Sequence, residues 1–97
     1  MKFFLASILQ KKVSNYSMTD RFIIIGRLTC PFCINAMDYC KAKGAEYVFL
    51  NYTDNPEILE DYKQFHQQKT VPIVLANSTE TGYTKKVGGY SDLLEYL

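Results

Sequence analysis

Apolar positions along the 97-residue chain change their period from one stretch to the next. "RFIIIGR", residues 21–27, is a β-branched run without alternation, closed by Gly26, the pattern of a strand covered on both faces. After it, Cys33, Ala36, Met37 and Cys40 fall at i, i+3, i+4 and i+7, the stripe of a helix facing a core. Pro31 suits the first helical position, where its missing N–H would have no partner anyway. Lys41 and Lys43 fall in the last turn and Gly44 is a stop signal. "AEYVFLN" predicts a second strand, residues 45–51. "TDNPEILEDYKQFHQQ" predicts a second helix, capped by Asp54 or Asn55, begun by Pro56, with Ile58, Leu59, Tyr62 and Phe65 as its apolar face. "TVPIVLA" predicts a third strand that starts at a proline, "STETG" a turn and "YTKKV" a short fourth strand. "GGYSDLLEYL" predicts a glycine turn and a C-terminal helix capped by Ser91 or Asp92.

The order is (α)-β-α-β-α-β-β-α, an α/β class. Strand–helix–strand units imply a parallel pair with a right-handed crossover, and the last two strands form a hairpin. The expectation is a mixed four-stranded sheet with helices on both faces. Residues 20–97 are expected to form the compact domain and residues 1–19 an N-terminal extension or helix. "MKFFLASILQKK" loosely resembles a signal peptide, but its apolar run is short and no clear cleavage site follows. It is far too short to span a bilayer. Phe4, Leu5, Ile8 and Leu9 at helical spacing favour a surface helix or an extension, with Met18 as another start of the domain.

Composition narrows the function classes. Ninety-seven residues with 47% apolar side chains bury a core in one domain without cross-links. The net charge is +1, and no basic stripe with interleaved aromatics suggests a nucleic-acid partner. Three cysteines are too few, and odd in number, for a secreted disulfide scaffold. A reducing, cytoplasmic compartment follows, and the three Asn-x-Ser/Thr tripeptides at Asn15, Asn51 and Asn77 are read as chance matches. A monomer is the default.

The densest chemistry lies in "RLTCPFCINAM". Its cysteine pair admits a metal half-site, a structural disulfide or a redox pair. A structural zinc site needs four ligands, and only Cys40 and His66 remain beyond the pair. Cys40 is two helical turns past Cys33, about 10 Å along the axis, too far for one tetrahedral centre or for a disulfide between them. Redox chemistry fits better. Cys30 sits where a buried strand meets a helix N-terminus, whose free N–H groups and positive dipole end stabilise a thiolate below the free value of ~8.5. Arg27 adds positive charge. Cys33 lies a turn further in, on the buried stripe, and is the less acidic thiol. Cys30 is therefore expected to attack and Cys33 to resolve.

"GRLTCPFC", "KTVP" and "GGYSDL" together resemble, in order and spacing, the dithiol glutaredoxins over about residues 20–97. Thioredoxins usually carry a Trp before the first cysteine, and this chain has none. The resemblance implies a thioredoxin-like fold, glutathione as the reducing co-substrate and no metal. It implies that Cys30 attacks a protein disulfide or a glutathione mixed disulfide, and that glutathione or Cys33 releases the adduct. Implied partners are glutathione and disulfide-containing or glutathionylated proteins, ribonucleotide reductase among the candidates. Pro72 corresponds to the family's cis-proline, which places the Val71 backbone beside the sulfur, ready to pair with the glutathione cysteine. Arg27 and Lys69 are the implied cations for the glycine carboxylate. The N–H groups of Ser91 and Asp92 suit the γ-glutamyl carboxylate, and the Asp92 carboxylate its ammonium. Phe32, Thr70 and Tyr90 line the groove.

Three positions depart from the family pattern. Phe32 stands where many relatives have Tyr. Glu60 lies near a position where some have a carboxylate-binding Gln, and is read here as a solvated helix charge. Lys69 replaces an Arg and loses its fork of donors. Cys40 is read as core and His66 as a helix-end residue, since a preformed thiolate needs no separate base. The tyrosines at 39, 47, 52, 62, 83 and 96 are read as packing. The alternative function is a glutathione-ligated [2Fe–2S] cluster shared by two protomers, against which the stiffening Pro31 argues. A second is a disulfide oxidant in an oxidising compartment, which requires a cleaved N-terminus.

Overall fold

A computed structural model describes residues 20–97, so the expectations for residues 1–19 and Met18 lie outside the described residues. The chain runs β1 (Asp20–Gly26), α1 (Pro31–Ala42), β2 (Glu46–Asn51), α2 (Pro56–Phe65), β3 (Ile73–Ser78), β4 (Thr84–Gly88) and α3 (Tyr90–Tyr96). The sheet order is β2-β1-β3-β4. β1 pairs parallel with β2 and antiparallel with β3, and β3 pairs antiparallel with β4, with a register break between Val74 and Leu75. This is the mixed sheet of a thioredoxin-like fold.

The unbroken apolar run of β1 has its cause in this order, because β1 is central and covered on both sides. Phe22 and Ile24 pack against Ala36 and Cys40 of α1 and Leu93 and Tyr96 of α3. Ile25 joins Ile73, Leu75 and Leu59 of α2 on the opposite face. Each such side chain contributes about 1.5–3 kcal/mol relative to exposure. The stripe on α1 is the expected one: Cys33, Ala36 and Cys40 are buried and Met37 packs half-buried beside them.

Three local expectations change. α2 buries only Leu59 fully, while Ile58 and Phe65 are exposed, Phe65 at 80%. A ten-residue helix rests on the sheet by a single ridge, and Phe65, in its last turn, stands edge-on to His66 with ring centroids 4.9 Å apart. Tyr83 is exposed next to the β3–β4 turn rather than packed. α3 begins at Tyr90, so its N-cap is Gly89 rather than Ser91 or Asp92. Asp92 acts from inside the first turn, its Oδ2 accepting the Gly89 N–H at 2.9 Å.

The pairing also fixes where loops converge. Ile25 faces Ile73, and Val74 faces Gly88. The end of β1, the start of β3 and the end of β4 therefore meet at one edge. The cysteine turn, the segment before β3 and the double glycine all emerge there.

Candidate functional site

Cys30 is the N-cap of α1, with extended backbone at φ −98° and ψ 115°. Its carbonyl accepts the N–H groups of Cys33 at 3.0 Å and Ile34 at 3.2 Å, which starts the helix. Its own N–H donates to the Arg27 carbonyl at 3.3 Å, closing the turn. The Leu28 N–H donates to Thr53 Oγ1 at 2.9 Å and ties the turn to the chain just beyond β2. Cys33 is completely buried, whereas Cys30 keeps 8% of its surface in solvent. Space at this junction is tight: a Cβ at Gly26 would collide with Cys33 Sγ. Glycine at that strand end is what lets the second sulfur sit beneath the first.

The two thiols differ in acidity for reasons the turn supplies. Burial pushes Cys30 upward, but hydrogen bonds from the Cys33 N–H, the Cys33 thiol and the Phe32 N–H, with the Arg27 charge, outweigh it. The net direction is down. Cys33 is pushed up to about 12, first by burial and then by the hydrogen bond and charge of Cys30. Cys40, buried in the core, is pushed up to about 11 by burial alone.

Opposite the sulfur lies the segment before β3. The Val71–Pro72 peptide bond is cis. As a thiol, Cys30 donates to the Val71 carbonyl at 3.8 Å. Beside this pair runs a groove of about 540 Å³, lined among others by Phe32, Thr70, Val71, Pro72, Tyr90 and Asp92. The rings of Phe32 and Tyr90 lie 5.8 Å apart and form an apolar wall. Gly88 takes φ +127°, and a Cβ there would strike the Asp92 carboxylate, so both backbone and space call for glycine.

Of the residues expected from the sequence, Phe32, Thr70, Val71, Pro72, Tyr90, Ser91 and Asp92 share this groove. Arg27 does not line it and acts on Cys30 through its charge. Lys69 is exposed and lines a neighbouring cleft with Glu60, Lys63 and Gln64. Glu60 is exposed and paired with Lys63 at 3.0 Å, in keeping with a solvated helix charge, yet it shares that cleft with Lys69. His66 caps the C-terminus of α2, stacks on Tyr62 and does not line the groove. Gln68 and Lys86 line the groove and were not singled out from sequence. The polar run "HQQK" carries no period that distinguishes one glutamine from the next, whereas the alternation along "YTKKV" offers a weak signal for Lys86.

Comparison with known proteins gives the family and the fold. The glutaredoxin family model matches residues 16–79. Glutaredoxin-1 of variola virus is 35% identical over 92 residues, a match covering 89% of this chain and 76% of that protein. Glutaredoxin-1 of ectromelia virus (strain Moscow) is 32% identical with the same coverage. A wheat glutaredoxin structure superposes with a TM-score of 0.61 at 24% identity, covering 77% of this chain and 67% of the wheat chain. The Brucella melitensis glutaredoxin gives 0.56 at 23% identity, covering 80% and 78%. At these identities the two structures speak to the fold alone.

Proposed function

The chain belongs to the glutaredoxin family of thiol-disulfide oxidoreductases, and from that premise we propose that it reduces glutathione mixed disulfides and protein disulfides with glutathione as co-substrate. Cys30 is the nucleophile and Cys33 the resolving thiol. The observation that carries this reading is the placement of the two sulfurs, Cys30 at the helix N-cap with an edge in solvent and Cys33 completely buried one turn on, an arrangement that moves their acidities in opposite directions. A thiolate is the attacking species in disulfide exchange, so the sulfur whose value is lowered is the one to attack.

The Cys30 thiolate attacks the glutathionyl sulfur of a mixed disulfide. The bond to the substrate sulfur breaks, the substrate leaves as a thiolate, and Cys30 holds the glutathionyl group. A glutathione thiolate then attacks that sulfur, releases glutathione disulfide and restores Cys30. On a protein disulfide, Cys30 attacks one sulfur and the other leaves as a thiolate; Cys33 then attacks Cys30 Sγ, expels the second protein thiolate and closes the Cys30–Cys33 disulfide, which two glutathiones reduce as they become glutathione disulfide. Once Cys30 is bonded it has lost the negative charge that helps push Cys33 upward. The resolving thiol is therefore more acidic in the intermediate than at rest.

Ionisation also frees the substrate cradle. The Cys30 thiolate no longer donates to the Val71 carbonyl, and the Val71 backbone is left to pair with the glutathione cysteine in strand fashion. The wall of Phe32 and Tyr90 covers its apolar part, and Thr70 and Pro72 border it. The N–H groups of Ser91 and Asp92 meet the γ-glutamyl carboxylate. Asp92 Oδ2 is committed to Gly89, so Oδ1 is the oxygen that meets the ammonium. Arg27 and Lys69 supply positive charge toward the glycine carboxylate.

The test is turnover of a glutathione mixed disulfide of a small thiol, with glutathione, glutathione reductase and NADPH. Cys30→Ser is expected to abolish it and Cys33→Ser to retain most of it. Folded but inactive wild-type protein would overturn the proposal.

A further inference from the structure

α2 closes with a defined hydrogen-bond pattern. Gln67 takes φ 53°, and its N–H donates to the Gln64 carbonyl at 3.2 Å. The Gln68 N–H reaches back to the Lys63 carbonyl at 2.9 Å. These are the 5→2 and 6→1 bonds of a Schellman closure, built on a non-glycine residue in the left-handed region. The closure turns the chain back and fixes the backbone of Gln68. From that anchor the side-chain Nε2 donates to the Thr70 carbonyl at 3.0 Å and to the Pro72 carbonyl at 2.8 Å. A single amide nitrogen thus bridges the carbonyls on either side of Val71. Val71 is the residue whose own carbonyl faces Cys30 Sγ at 3.8 Å. Gln68 is half-buried and lines the same groove as Tyr90 and Asp92. A Cβ on Gly89 would lie 3.9 Å from both Gln68 Nε2 and the Pro72 carbonyl, so the double glycine packs against the same clamp.

We propose that Gln68 is a positioning residue that holds the Thr70–Pro72 segment in register with Cys30 and so sets the preference for disulfides that carry a peptide backbone, glutathione above all. The inference rests on the glutathione reading given above. Small disulfides with no backbone meet only the sulfur and are indifferent to the clamp. A glutathionyl group that pairs with Val71 is aligned only while that segment is fixed. Both carbonyls are acceptors, so the clamp needs the two N–H donors of one side-chain amide. A methionine keeps the length and bulk and offers none. A glutamate keeps the shape, and at neutral pH sets a carboxylate against two carbonyls.

The experiment uses a Cys33→Ser background, in which the adduct on Cys30 persists. The Cys30 thiolate attacks one sulfur of a symmetrical disulfide, a new S–S bond forms, the old one breaks, and one thiolate leaves. Second-order rates are measured with glutathione disulfide and with bis(2-hydroxyethyl) disulfide, which has no peptide. Gln68→Met is expected to slow the first by about tenfold, the size of one lost hydrogen bond, and to leave the second within about twofold. Gln68→Glu is expected to be as slow at pH 7.5. Its rate relative to the Gln68 parent should recover toward pH 5, as the protonated carboxyl regains a donor, while the Gln68→Met ratio stays flat. An unchanged preference in Gln68→Met would overturn the proposal. So would an equal fall in both rates, which would place the effect on Cys30 or on the fold. A parent with no preference for glutathione disulfide would overturn the glutathione reading and the clamp with it, an outcome visible before any Gln68 variant is made.

Discussion

At the scale of single residues, two thiols one helical turn apart respond to the same helix end in opposite senses. Cys30 keeps an edge in solvent and collects hydrogen bonds, while Cys33 lies beneath it with no solvent contact. Their effects on stability have opposite signs. For Cys30, with its folded value lowered, the stabilisation is full above the ordinary thiol value and is lost as pH falls through the folded one. For Cys33 the unfolded chain sheds its proton near 9.0 and the folded chain holds it until about 12. Its stabilisation is full below 9.0 and is lost as pH climbs between the two values. At pH 10 the loss is on the order of 1 kcal/mol. The urea midpoint of the parent is therefore expected to fall between pH 8 and pH 10, and that of Cys33→Ser to fall less. Equal falls would show that burial of this thiol is not the source. The asymmetry was legible in the sequence because both of its causes are local: position on the apolar stripe and distance from the helix start.

At the scale of elements, the ends of helices decide more than their middles. The Schellman closure of α2 stands on Gln67 at φ 53°, a conformation that costs an L-residue roughly 1–2 kcal/mol. Gln67→Gly removes that cost and adds about 0.5–1 kcal/mol of chain entropy to the unfolded state, so a gain of a few tenths to about 1 kcal/mol is expected. Gln67→Val, β-branched, is expected to lose about 1 kcal/mol or more at the same site. Thermal or urea unfolding of the three proteins gives the order Gly, Gln, Val, and any other order would contradict the closure. The seven elements were legible from period, proline and glycine, since each is a pattern within some ten residues. The closure was not, because "HQQK" lacks the glycine that marks such an end. The face of α2 was overread for a related reason. Period places Ile58 and Phe65 beside Leu59, but the area of sheet that one helix covers is a tertiary quantity. The same limit hid Gln68, whose partners are set by the turn that Gln67 makes.

At the scale of the whole molecule, the described chain is closed at the end remote from its sulfurs. Among the described residues, no helix is long and apolar enough to cross a membrane, and the buried side chains lie between the sheet and its own helices. Tyr96, at the end of α3, donates its hydroxyl to Asp20 Oδ2 at 2.8 Å, and both residues are buried. The bond joins the last helix to the first residue of the central strand. Burial, then the hydrogen bond to Asp20, raises the Tyr96 phenol above its ordinary value, so at neutral pH the tyrosine keeps its proton and is the donor. Tyr96→Phe keeps the ring, which packs edge-on to Phe22 with centroids 5.8 Å apart, and removes this donor together with the hydroxyl's hydrogen bond with Lys85. A buried carboxylate deprived of a donor costs about 1–3 kcal/mol. Asp20→Asn keeps an oxygen to accept the bond and is expected to cost less. Gly26, where the strand delivers the cysteine turn, lies roughly 20 Å along β1 from Asp20. The lever at Asp20 is therefore expected to act on stability alone. Tyr96→Phe should lower the unfolding midpoint and leave the pH profile of Cys30 alkylation unchanged. A shifted profile would mean that closure of α3 reaches the thiolate through Tyr90 and the double-glycine turn. That result would make the C-terminal helix part of the site rather than its support.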